Sequence, residues 1–205
     1  MIKDWKSFLL PYAVAVEEMK VKLRELRKQY LQYEEESPIE FVTGRVKPVD
    51  SIKEKMQRRH IDEQHIEEEM QDIAGLRIIV QFVEDIYEVV ELIRHREDMT
   101  IVEERDYVKY NKASGYRSYH IVVEYTVELV NGPHKILAEI QVRTMSMNFW
   151  ATIEHSLNYK YQGQVPPDVA KRLESSAEVA FQLDQEMSEI RSELRQNNSQ
   201  ESKNN

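Results

Sequence analysis

The chain contains no cysteine, and glycine is scarce, with 5 in 205 residues. The first absence excludes disulfide frameworks and thiolate zinc sites and fits a reducing compartment, so a cytoplasmic location is expected. Neither a Walker A motif nor GxGxxG occurs, which excludes the common nucleotide folds by motif. No run approaches the ~18 apolar residues that span a bilayer, so no membrane partner is expected. The N-terminal MIKDWKSFLLPY has a short apolar patch without signal-peptide architecture. Positive charge is in deficit, 28 Lys and Arg against 37 Asp and Glu, for a formal net charge of −9. Such a chain repels polyanions on average, so binding of phosphate-rich ligands must come from local basic clusters.

What is present is enough for one compact domain with a helical arm, expected over residues 1–196. Apolar residues from Trp5 to Tyr33 recur at three- and four-residue spacing, predicting a helix over 4–35 with Pro11 marking its start or a kink. IEFVTGRVKPVD reads as a linking stretch before a short basic helix, DSIKEKMQRRH. An acidic segment, 62–72, runs into Gly75, which looks like a helix terminator, and then a buried strand over 76–82. A helix over 83–97 follows. Strands are expected over 99–107, 117–129 and 134–143, the last two joined at VNGPH as a hairpin. Helices over 145–160 and 167–196 close the fold, and residues 197–205 are expected to be a disordered polar tail. Helices framing a central sheet of four or five strands give an α+β class.

Three features carry candidate chemistry. The run 45–59 holds six cations (Arg45, Lys47, Lys53, Lys55, Arg58, Arg59) against two acids. Ser51, Lys55, Arg58 and Arg59 can share one helix face, which suits a polyphosphate or, equally, solvent. In QDIAGLR, Asp72 precedes Arg77 across a turn. A carboxylate there could hold Mg²⁺ together with substrate phosphates, or the pair could simply fix the turn. In LAEIQVR, alternation puts Glu139, Gln141 and Arg143 on one face of what reads as an interior strand, where buried polar groups need partners or a ligand.

A fourth feature is SGYRSYH, residues 114–120. Alternation puts Tyr116, Ser118 and His120 on one face, and Arg117, Tyr119 and Ile121 on the other. Tyr116 then reads as an exposed ring suited to stacking on a base, and Tyr119 as packing. Arg105 and Lys112 lie just before and could reach phosphates. Two carboxylates, two basic patches and an aromatic platform together suggest metal-assisted phosphoryl or pyrophosphoryl transfer between two nucleotides.

FVTGRVKP, DIAGLRI, SGYRSYH, EIQVRT and NFWATIEHSLNYKY occur together and in this order. They closely resemble the synthetase domain of the alarmone-making enzymes, specifically the stand-alone small alarmone synthetases of the RelQ type, over roughly residues 4–195. The resemblance implies a nucleotidyltransferase-like α+β fold with long terminal helices, the C-terminal one used to assemble a homotetramer. It implies transfer of the β,γ-pyrophosphate of ATP to the ribose 3′-hydroxyl of GDP or GTP, giving ppGpp or pppGpp and AMP. On matching positions Asp72 would hold Mg²⁺, and Glu139 would be a second metal ligand or the base. Arg45 and Arg77 would sandwich adenine, with Lys47, Ser51, Lys55 and Arg58 on the phosphates. Tyr116 would stack on guanine near Arg105, Lys112, His120, Gln141 and Asn148. The guanosine alarmone is implied as an allosteric activator at Lys20, Arg24, Glu40, Phe41, Thr43 and Asn148. None of the six histidines precedes an aspartate, so the hydrolase of bifunctional relatives is not expected. Rival readings are a nucleotidyltransferase that releases pyrophosphate, and a regulatory protein binding single-stranded RNA through its basic helix.

Overall fold

The protein is described here by a computed structural model covering residues 2–33, 36–160 and 165–201. Helix α1 (Trp5–Gln32) is started by Asp4, whose carboxylate accepts from the backbone N–H groups of Lys6 and Ser7. It begins ahead of Pro11, which lies inside it. Its stripe of Tyr12, Ala15, Val16, Met19 and Leu23 is fully or almost fully buried. The rest of the chain runs β1 (Phe41–Val46), α2 (Val49–Arg59), a 3₁₀ turn (Glu63–His65), α3 (Ile66–Glu69), β2 (Ala74–Val80) and α4 (Val83–Arg94). It continues with β3 (Thr100–Asp106), β4 (Tyr119–Leu129), β5 (Gly132–Thr144), α5 (Met145–Lys160) and α6 (Pro167–Glu201).

The five strands form one mixed sheet in the order β1-β2-β5-β4-β3, with β2 and β5 parallel and the other neighbours antiparallel. Strand β5 is therefore central, as an interior hairpin strand should be. One face is apolar: Val42, Leu76, Ile78, Ile140, Ile121 and Val123 are at most 2% exposed and join α1 and α4 in a single core. The opposite face carries the polar alternates. Burying the first face fixes register, because a one-residue slip would exchange the two sets.

The structure corrects four readings. The supposed linker contains β1, an edge strand antiparallel to β2. Its Gly44 lets the strand approach α1, since an added Cβ would lie 2.9 Å from Val16 Cγ1. Gly75 terminates no helix: α3 ends at Glu69, and Gly75 sits within β2 between Arg45 and Glu139. The SGYRSYH motif enters its strand only at Tyr119. Helix α6 continues to Glu201 because nothing between 197 and 201 stops it, so only residues 202–205 of the expected tail lie outside the described residues.

Candidate active site

Strand register builds the site. Residues paired across neighbouring strands project to the same face. One row across all five strands reads Thr43, Arg77, Gln141, His120, Arg105, and the next reads Arg45, Gly75, Glu139, Val122, Glu103. Of the residues predicted from sequence, Thr43, Arg45, Lys47, Asp72, Arg77, Glu139 and Gln141 line one cleft of about 290 Å³. Gly75 forms its floor, and the absence of a side chain there keeps the space between Arg45 and Glu139 open.

Asp72 is gripped from two sides. Lys55 of α2 donates to Oδ1 at 2.7 Å and Lys47, just after β1, donates to Oδ2 at 2.9 Å. Burial works to raise the Asp72 pKa, but the two lysines outweigh it and hold the carboxyl below its ordinary value. Burial lowers the Lys55 pKa in turn. Ser51 is half-buried in the first turn of α2. Both arginines at the end of the basic helix, Arg58 and Arg59, are exposed. Arg59, one turn beyond Lys55, is the residue whose charge acts on both Lys55 and Lys112. Arg58 is exposed and forms no hydrogen bond or ion pair among the described residues.

Glu139 lies on the same cleft and feels the charge of Asp72. His120 Nδ1 is 3.1 Å from its Oε1, and Gln141 Nε2 donates to its Oε2 at 2.7 Å. Burial pushes the Glu139 pKa up, but His120 and Gln141 more than compensate, leaving it below the usual glutamate value. Tyr116 is half-buried rather than exposed: its hydroxyl meets His120 Nε2 at 2.9 Å, and Lys112 Nζ lies 4.8 Å over its ring. A base could stack on that face only after Lys112 swings away. Tyr119 packs edge-on to Tyr87 and donates to Glu104, as expected of a core residue.

Four residues of the site went unassigned in the sequence. Gln71 accepts from Arg105 and donates to Glu103, which also binds Arg105, so Nε and Nη2 of the Arg105 guanidinium are engaged. Tyr107 stands edge-on to His120 at 5.2 Å. Arg143, visible in the alternation but given no role, is buried beneath Tyr116 and Gln141. Asn148 on α5, which the sequence did assign, accepts from Arg77 at 3.0 Å.

The residues expected at the allosteric site do not meet in one cavity of a single chain. Lys20 packs on Gly44, and Arg24 donates to the Val42 carbonyl at 3.1 Å. Glu40 is held by Gln81 and Arg27, Thr43 lines the central cleft, and Phe41 and Asn148 share a separate apolar hollow. They border β1 from both sides. Asn158, Tyr159 and Lys160 end α5, but their side chains, like Tyr161 as a whole, lie outside the described residues.

Among the described residues no three His, Cys, Asp or Glu side chains gather as a self-sufficient metal site. Two carboxylates on one cleft nevertheless match Mg²⁺, which takes one or two protein carboxylates and completes its shell with phosphates and water. The donor set thus fits a cation that arrives with a nucleotide.

Comparison with known proteins gives the family. Residues 44–164 match the family model described as a region found in RelA / SpoT proteins. The chain is 57% identical over 194 residues to GTP pyrophosphokinase YjbM of Bacillus subtilis (strain 168), covering 95% of this chain and 92% of that one. Small alarmone synthetase 1 of Bacillus subtilis, solved with its product pppGpp, superposes with a TM-score of 0.89 at 58% identity, covering 92% of this chain and 97% of that one. The same synthetase solved with AMPCPP gives 0.83 at 53% identity, with 94% and 98% covered. The chain belongs to the RelA/SpoT family, with small alarmone synthetases as relatives along nearly its whole length.

Proposed function

We propose that the protein is a (p)ppGpp synthetase that transfers the β,γ-pyrophosphate of ATP to the ribose 3′-hydroxyl of GDP or GTP. The observation that carries this reading is the convergence of Asp72 and Glu139 on one cleft flanked by two separate cation groups. Arg45, Lys47 and Lys55 stand on one side, and Arg105 and Lys112 on the other. A hydrolase acting on one polyphosphate needs a single such group; a transferase needs both. The full-length relative named a GTP pyrophosphokinase and the relatives solved with pppGpp and AMPCPP support the same assignment.

The chain's own groups divide the work. Lys47 and Lys55 exchange Asp72 for the ATP phosphates, and Arg45 and Arg77 flank the adenine. Tyr116, with Lys112 displaced, stacks on guanine. Glu139 is ionised and acceptor-only, so it can take the 3′-hydroxyl proton as the new O–Pβ bond forms. The Pα–O–Pβ bridge breaks with its oxygen remaining on the α-phosphate, which leaves as AMP. Mg²⁺ held by Asp72 and Glu139 would neutralise phosphate charge.

A homotetramer is part of this reading. On α6, Val179, Leu183, Met187, Ile190 and Leu194 are 41–63% exposed and recur at three- and four-residue spacing, a stripe that demands cover. A second copy would also be needed to complete an alarmone site around β1. Incubation with ATP, Mg²⁺ and GDP, followed by chromatography, is expected to give AMP and guanosine tetraphosphate. Release of pyrophosphate would instead indicate nucleotidyl transfer.

A further inference from the structure

Arg143 is only 4% exposed, yet among the described residues its guanidinium meets no carboxylate. Removing such a charge from water is costly unless every donor is used. Nε donates to Ser118 Oγ at 3.1 Å, and Nη2 donates to Gln141 Oε1 at 2.6 Å and to the Tyr116 hydroxyl. Both of these last acceptors lead onward to the same place. Gln141 Nε2 donates to Glu139 Oε2, while Tyr116 reaches Glu139 Oε1 through the two nitrogens of His120. The bonds close a ring: Arg143, Tyr116, His120, Glu139, Gln141 and back.

A guanidinium can only donate and a carboxylate can only accept, so with a neutral His120 imidazole the two ends of the ring fix the sense of everything between. Along one arm the Gln141 amide must turn its oxygen to Arg143 and its nitrogen to Glu139. Along the other, Tyr116 accepts from Arg143 and donates to His120 Nε2, leaving the His120 proton on Nδ1, directed at Glu139. Reversing any member breaks two bonds. Being buried, Arg143 cannot itself touch a nucleotide in this arrangement.

We propose that Arg143 is a positioning residue that polarises this ring and thereby holds the Tyr116 ring and the Gln141 amide in the single orientation that receives the acceptor nucleotide. This rests on the guanine-side assignment above. Its effect on binding falls mainly on the acceptor, because the ATP-side lysines and arginines lie outside the ring, while turnover falls as well because Glu139 is a member of it.

The test uses the full-length enzyme with Arg143→Met, Arg143→Lys, Tyr116→Phe and the Tyr116→Phe/Arg143→Lys double variant. KM for GDP and for ATP is measured alongside the ¹⁵N chemical shifts of histidine, which report the tautomer. Arg143→Met is expected to raise the GDP KM by roughly tenfold or more, with the ATP KM within about twofold. It should also remove the Nδ1–H signature of His120. The double variant should be no worse than the poorer single one, because both cut the same arm. That cycle decides the matter if Arg143→Met fails to fold. Equal losses for GDP and ATP, additive single effects, or an unchanged His120 tautomer would overturn the proposal. Absence of product from the parent enzyme would instead refute the synthetase reading, with the tautomer still testing the ring.

Discussion

Lys55 of α2 and Asp72 before β2 are joined at 2.7 Å, with Lys47 on the second Asp72 oxygen, so one carboxylate bridges two cations of the proposed phosphate site and leaves them a net positive charge. Without nucleotide, Asp72 occupies the lysines as a phosphate would. On the proposed reading, an arriving polyphosphate is expected to compete for them and free the carboxylate.

Asp72→Asn separates the two roles of this pair. Turnover should fall by at least ~10²–10³, the scale of losing one electrostatic stabiliser of the transferring group. Binding of an ATP analogue without divalent cation should be at least as tight as in the parent, because the lysines no longer have a competing anion. Calorimetric titration distinguishes the two effects; weaker metal-free binding would contradict the competition.

The same pair makes stability depend on pH. The Asp72 pKa is lower in the folded protein than in the unfolded chain, so its contribution is fully present above the unfolded value. It is lost as pH falls through the depressed folded value, below about pH 4. Urea unfolding of parent and Asp72→Asn should therefore differ by a constant amount at neutral pH and converge in acid. Asp184 is of opposite sign: burial raises its pKa despite hydrogen bonds from Thr144 and Ser146. Its cost appears as pH rises above the unfolded value, so any gain in stability from Asp184→Asn should be present at neutral pH and vanish in acid.

Strand alternation in LAEIQVR puts Glu139 and Gln141 on one face, and in SGYRSYH it sets His120 opposite Tyr119, while the pairing of His120 with Gln141 comes from the hairpin register. The alternation is local, and a half-buried strand writes it into its sequence directly. Strand β1 was hidden because Gly44 interrupts its pattern, and its reason for being glycine lies on α1. Alternation along α2 cannot choose between Arg58 and Arg59, because the facing of the helix depends on where Lys55 meets Asp72, a contact 17 residues away in sequence. The Gln71–Arg105–Glu103 cluster likewise depends on β3 coming near the turn before β2, which no local pattern reports.

The α6 stripe predicts an interface. Replacing Leu183 and Ile190 together by lysine should reduce the particle mass measured by light scattering, because two charges would have to be desolvated where apolar surface was buried. Both residues are more than 40% exposed in the single chain, so the monomer fold should survive, as far-ultraviolet circular dichroism would show. An unchanged mass would assign the stripe to another use.

Gly44 and Gly75 give a contrast between packing and function. An added Cβ at Gly44 would lie 2.9 Å from Val16 Cγ1 and 3.0 Å from Lys20 Cδ, so Gly44→Ala must push β1 off α1. A loss of about 1–3 kcal/mol in urea unfolding is expected. At Gly75 a Cβ would meet only the Arg45 carbonyl oxygen, at 3.8 Å, so Gly75→Ala should change stability by no more than ~0.5 kcal/mol. That methyl would nevertheless project from the face shared with Arg45 and Glu139, into the cleft where the nucleotide is to bind. Gly75→Ala should therefore weaken ATP binding while Gly44→Ala weakens the fold. A Gly75→Ala enzyme with unchanged ATP KM would show that the cleft floor does not touch the nucleotide.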